Sequence, residues 1–129
     1  MLILNFTHPL NDEQVKQIEQ LTGQKVEEVR QIPVHFDNNV PYENQIESLI
    51  EQCNLSPSEW QSKPILIVPP AFNFIAVALL AALHGLMGYF PPIVRLRPIE
   101  NQLPVKYEVA EIINLQKIRD KFRKSRTEV

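Results

Sequence analysis

Glycine is scarce in this chain, with three residues in 129 against eleven prolines. Neither G-x-G-x-x-G nor G-x-x-x-x-G-K-[ST] occurs, so dinucleotide binding of the usual glycine-rich kind and P-loop hydrolysis have no support. Proline in excess of glycine predicts rigid loops. Cysteine is almost absent. The single Cys53 excludes an internal disulfide, and it falls on a helical pattern that reads as core. There is no H-E-x-x-H and no cysteine–histidine cluster, so zinc chemistry is unsupported and neither metal nor cofactor is expected. The opening Met1-Leu2-Ile3-Leu4-Asn5-Phe6 has no basic start and reads as a strand. No secretory leader is therefore expected, and a reducing cytoplasmic setting follows.

Charge is also missing from one long stretch: residues 64–94 contain no Asp, Glu, Lys or Arg. That length could span a bilayer. Pro69-Pro70, Asn73, His84, Gly85 and Pro91-Pro92 interrupt it, however, and leave an apolar helix from about Phe74 to Met87 that is too short to cross. A buried strand followed by a buried helix is expected, with no membrane partner. The formal net charge of −2 implies no general attraction to nucleic acid, and no direct DNA binding is expected. Its distribution is uneven. Met1–Ser62 holds ten acidic and three basic residues, a balance of −7, whereas Leu115–Val129 holds six basic and two acidic, a balance of +4. Such asymmetry marks either a basic binding face or a solvated amphipathic helix with a basic tail.

What is present alternates between strand and helix. Leu2 to Phe6 is a short apolar strand, broken by Thr7-His8-Pro9-Leu10. Asn11 or Asp12 can cap a helix carrying Val15, Ile18 and Leu21, with Gly23 as its stop. Val26 to Phe36 predicts a second strand, interrupted by Pro33, and Asp37-Asn38-Asn39 a turn. Tyr42 to Cys53 is helical, with Ile46, Leu49, Ile50 and Cys53 on one face. Ser56-Pro57-Ser58-Glu59 is a capping box that opens a brief helix. Ile65-Leu66-Ile67-Val68 has the unbroken aliphatic run of a central parallel strand. Asn73 can cap the apolar helix. Ile93–Arg97 and Tyr107–Ile113 are further strands, and Asn114 caps a last helix bearing Leu115, Ile118 and Phe122. This order predicts one α/β domain, Rossmann-like, with a largely parallel sheet and helices on both faces.

Open α/β sheets bind ligands beyond the carboxyl ends of their strands. Four segments could form that rim: Asn5, Thr7 and His8; His35 and Asp37; Pro70, Phe72 and Asn73; Arg95 and Arg97. Asn73 at a helix start exposes main-chain N–H groups to an anion, or is an ordinary cap. Phe72 could stack on a base or pack into the core. His8 could contact a phosphate or act as general acid or base, or merely hydrogen-bond the backbone. His84, late in the apolar helix, reads as structural. Arg95 and Arg97, two apart on a strand, share a face suited to phosphate, or pair with Glu108 and Glu111. The residues thus define a polar rim compatible with a phosphate-bearing ligand.

Several phrases carry a resemblance. They are the opening Leu2-Ile3-Leu4-Asn5-Phe6-Thr7-His8-Pro9-Leu10, Asn73-Phe74-Ile75-Ala76, the run His84-Gly85-Leu86-Met87-Gly88-Tyr89-Phe90-Pro91, Arg95-Leu96-Arg97-Pro98, and Glu108-Val109-Ala110-Glu111-Ile112-Ile113-Asn114-Leu115. In this order and spacing the chain resembles the Csx-fifteen family of CRISPR-associated accessory proteins over essentially its whole length. The resemblance implies a CARF-like domain that senses cyclic oligoadenylates, the second messengers of type III CRISPR systems. It further implies cyclic tetra-adenylate as ligand, and a homodimer or higher homo-oligomer whose two-fold symmetry matches the ring. Related small proteins either cleave the messenger as ring nucleases or sequester it as sponges.

Metal-independent cleavage would use an RNA 2′-hydroxyl, aligned and assisted by a nearby histidine or lysine. His8 is the one good candidate for that catalytic role, and no lysine follows strand one or the central strand. That inventory favours sequestration over a nuclease. Two readings of other classes stay open. One is a protein-interaction module using an exposed Tyr89-Phe90-Pro91-Pro92 segment and the basic last helix; the other is direct RNA binding through the basic tail.

Overall fold

The computed structural model describes residues 1–127; Glu128 and Val129, counted above with the basic C-terminal stretch, lie outside them. The elements are β1 (Leu2–Asn5), α1 (Asp12–Thr22), β2 (Glu28–Gln31), α2 (Tyr42–Cys53), α3 (Pro57–Ser62), β3 (Ile65–Val68), α4 (Asn73–Met87), β4 (Ile93–Pro98), β5 (Tyr107–Ile113) and α5 (Leu115–Thr127). The five strands form one sheet in the order β2-β1-β3-β4-β5, with only the β4–β5 pair antiparallel. The fold is Rossmann-like α/β.

Strand alternation divides the core in two. Leu2, Leu4, Ile65 and Ile67 face Ile46, Leu49 and Cys53 of α2, Trp60 of α3, and Ile75, Leu79 and Leu83 of α4. Ile3, Leu66 and Val68 face the other way, onto Ile18 of α1, with Val94 and Val109. Every residue of β1 and β3 is buried, as their continuous aliphatic runs require.

Local signals fix the helix ends. The Asn11 side chain accepts from the Gln14 N–H, the Gln14 side chain accepts from the Asn11 N–H, and Gly23 ends α1 at φ 66°, where glycine alone is unstrained. Ser56 and Glu59 repeat the reciprocal cap on α3. Asn114 accepts from the Lys117 N–H at 3.0 Å and caps α5.

Three expectations are corrected. The second strand covers only Glu28–Gln31 rather than Val26–Phe36. After Ile32, whose N–H donates to the Asn5 carbonyl at 2.9 Å, Pro33 offers no N–H, and Val34 and Phe36 leave the sheet to pack on the α2–α4 core. The N-cap of α4 is Phe72, not Asn73. Asn73 is the first helical residue, and its side chain accepts from the next N–H, that of Phe74, at 2.9 Å. The Tyr89–Pro92 segment is not an exposed patch: Pro91 is buried, and Phe90 packs on His84 with ring centroids 4.2 Å apart while its N–H donates to Gln116. Among the described residues no helix is long and apolar enough to cross a membrane.

Candidate functional site

The strand order reverses between β1 and β3: the chain moves outward from β1 to β2, then returns and runs the other way from β3 to β4. At such a switch point the loops after the two strands part and leave a crevice at their carboxyl ends. The register puts Asn5 beside both Gln31 and Val68, so these three residues mark the carboxyl edge.

Beyond that edge one side rises higher. β4 meets β3 only at Ile93, opposite Ile67. Arg95–Pro98 therefore run on past Val68, roughly 13 Å at the usual rise per strand residue, paired only with β5. Helix α1 braces this ribbon. The Gln14 side chain donates to the Tyr107 carbonyl at 3.0 Å, and the Gln17 side chain accepts from the Val109 N–H at 2.9 Å. Between the ribbon and the switch-point loops lies a groove of about 670 Å³, bordered by Thr7, His8, Pro69, Ala71, Arg95 and Tyr107 among others.

Asn5 builds the first loop from within. It is 0% exposed, and both amide hydrogens have partners, the His8 carbonyl and the Gln31 side chain, each at 2.9 Å. Its oxygen accepts from the Thr7 N–H at 3.1 Å. Gln31 in turn donates to the Thr7 carbonyl. Asn5, expected to touch ligand, is instead enclosed and holds Thr7 and His8 in place. His8 is exposed, and among the described residues no protein group hydrogen-bonds its ring or the Thr7 hydroxyl.

Arg95 and Arg97 both project from β4, but only Arg95 borders the groove. The acidic pairing left open by strand spacing is present: Arg95 Nε donates to Glu111 and Arg97 Nε to Glu108, each at 2.8 Å. A register shift after Arg95 makes this possible, because it sets Glu111 and Glu108, three apart, opposite arginines two apart. Both pairs are solvent-exposed and weak, so a polyanion can compete for the guanidiniums.

Phe72 and Asn73 do not reach this groove. They line a second cavity of about 370 Å³, with Phe36, Asn38, Tyr42 and Phe74. Phe36 and Phe72 meet edge-on with centroids 4.4 Å apart, and Tyr42 and Phe74 lie 6.3 Å apart. Ala71 borders both cavities and joins them. Pro70 is buried and belongs to neither; it lines an apolar hollow beneath α4 with Ile67 and Leu79. His35 is exposed on the loop after β2. Asp37 shapes its turn by accepting from the Asn39 N–H at 2.8 Å.

The sequence reading missed Gln31, Gln14, Phe36, Asn38, Tyr42 and Phe74. The aromatic residues come from three separate segments, and no spacing rule links them. Only Gln14 carried a signal, as the third helical residue and the last of the four-residue capping box that Asn11 opens. Among the described residues no cluster of His, Cys, Asp and Glu could hold a metal ion. Comparison with protein-family models, curated proteins and solved structures finds no match.

Proposed function

We propose that this protein binds a cyclic oligoadenylate, with cyclic tetra-adenylate as the ligand, across the carboxyl edge of its sheet. It lowers the free messenger chiefly by sequestration and so damps type III CRISPR signalling, acting as a homodimer in the cytoplasm. The resemblance in sequence supplies the ligand class. The observation that carries the reading is the junction at Ala71 of two unlike cavities, one bordered by Arg95, Thr7 and His8 and the other by aromatic rings and two asparagines. An oligoadenylate alternates phosphates with purines, so it needs cationic and hydroxyl groups beside stacking surfaces and amides.

A second reading, a ring nuclease, rests on His8. An imidazole with no protein partner at a phosphate groove could take the proton of a 2′-hydroxyl. That oxygen would attack the adjacent phosphorus, forming a cyclic phosphate and expelling the 5′-oxygen, which takes up a proton. No lysine borders the groove among the described residues, and the one candidate base leaves the departing oxygen without an evident acid.

Protein in excess over labelled cyclic tetra-adenylate distinguishes the outcomes. Sequestration predicts intact ring recovered from a tight complex, and His8→Ala weakens affinity alone. Complete conversion to linear fragments within minutes, abolished by His8→Ala with affinity kept, makes the protein a nuclease. No calorimetric heat and no thermal shift with any ring size overturns both.

A further inference from the structure

The groove beside the β4–β5 ribbon meets both faces of that ribbon. Residues alternate along a strand, so Val94 and Leu96 turn towards α1 while Arg95 turns the opposite way. Tyr107 lies two residues before Val109 on β5 and shares its α1-facing side. Arg95, Leu96 and Tyr107 all border the groove. One wall is therefore cationic, and the other is apolar with an aromatic ring at its outer end. A phosphate suits only the first. Against Val94, Leu96 and Pro9 it would lose water and gain no donor.

Among the described residues the exposed aromatic rings are Phe72, Phe74, Tyr107 and Phe122. Phe72 and Phe74 line the aromatic cavity, and Phe122 stands on α5. Tyr107, 51% exposed, belongs to the groove. Its backbone is held from two sides. The Ile99 N–H donates to the Lys106 carbonyl at 2.8 Å and closes the ribbon just beyond it. The Tyr107 carbonyl accepts from Gln14, a side chain in a residue only 8% exposed. The same Gln14 accepts from the Asn11 N–H at 2.9 Å, at the end of the loop that carries His8. One buried amide thus ties the His8 loop to the strand residue that carries the ring. An exposed ring on an immobilised backbone loses little conformational entropy when a ligand packs on it.

We propose that Tyr107 is the stacking platform for a nucleobase whose adjoining phosphate meets Arg95. The groove then takes a whole nucleotide rather than phosphates alone. The aromatic cavity joins it at Ala71, so one copy of the chain grips a base–phosphate–base unit. A base has two apolar faces and a polar edge. The ring and the aliphatic wall match the faces, and Thr7 and His8 on the other bank offer groups to the edge. This rests on the nucleotide reading above and adds a contact which that reading does not contain. Gln14 is the positioning residue that sets the ring opposite the His8 loop.

Titration of the full chain with cyclic tetra-adenylate tests the platform, with circular dichroism to verify that each variant folds. Tyr107→Ala should weaken binding roughly 5- to 150-fold, the range for losing one stacked base. Tyr107→Phe keeps the ring and should stay within about threefold of the parent. Tyr107→Leu keeps apolar surface without a flat face and should behave like Tyr107→Ala. Tyr107→Trp places an indole at the same point. Its fluorescence should be quenched by the nucleotide ring and left unchanged by inorganic pyrophosphate, which has no base. Trp60 is 2% exposed, so the parent measured in parallel supplies the background. Full affinity in Tyr107→Ala, an unquenched indole at saturation, or equal quenching by pyrophosphate overturns the platform and leaves the nucleotide reading standing. No binding of any ring size by the parent overturns both.

Discussion

The buried side chain of Asn5 donates to the carbonyl oxygen of His8, three residues on, at 2.9 Å. Through this contact the last residue of a core strand sets the conformation of the loop that presents a candidate ligand-binding histidine. A groove residue is thus positioned by one that never meets solvent.

Replacing Asn5 with leucine leaves the His8 carbonyl, the Thr7 N–H and the Gln31 amide without their partner. A fully buried group so stranded costs about 1–3 kcal/mol, and these three contacts are only partly buried, so each costs less than the full amount. Asn5→Leu should lower unfolding stability by about 2–4 kcal/mol in denaturant titration. Cyclic tetra-adenylate affinity should fall about tenfold or more under conditions where the variant is still folded.

The two arginines of β4 should differ. Arg95 borders the groove and Arg97 does not. Loss of a charge-assisted phosphate contact is worth about 1.5–3 kcal/mol, so Arg95→Ala should weaken binding roughly 10- to 150-fold at fixed ionic strength. Arg97→Ala should change it less than about threefold. Isothermal titration reads both, and equal losses would refute the assignment of the groove.

The Cys53 thiol is buried, donates to the Leu49 carbonyl, and burial pushes its pKa up to about 12 from 9.0. It should therefore resist alkylation at pH 8 in the native protein and react once the chain is unfolded. The raised value also links stability to pH. Below pH 9 the thiol is neutral in both states and its burial costs nothing in charge. Above it the unfolded state ionises first, so stability should fall as pH rises from 9 towards 12, by up to about 1.4 kcal/mol per pH unit. Cys53→Ala should lose less stability than the parent between pH 8 and 10.5 in matched denaturant melts.

Much of the fold was legible because local chemistry determines it. The buried run Ile65–Val68, the reciprocal cap of Ser56 and Glu59, and the left-handed Gly23 each act within a few residues. The second strand was overextended because Val34 and Phe36 are apolar for a helix-side core, not for the sheet. The candidate site was legible only as a rim. Thr7, His8 and Arg95 were placed on it by their positions at or beyond strand ends. That Arg95 and Arg97 part company depends on how far β4 overshoots β3, a tertiary register no periodicity encodes. The enclosure of Asn5 depends on Gln31, 26 residues away, reaching the same point.

That overshoot leaves the far end of the β4–β5 ribbon, with the turn joining it across residues 99–106, clear of both hydrophobic cores. Insertion or exchange within residues 99–106 would remove no core side chain, provided Tyr107 keeps its bond to the buried Gln14. The height of one bank of the groove is thereby a separately adjustable dimension, free to drift with the size of whatever the crevice must accommodate.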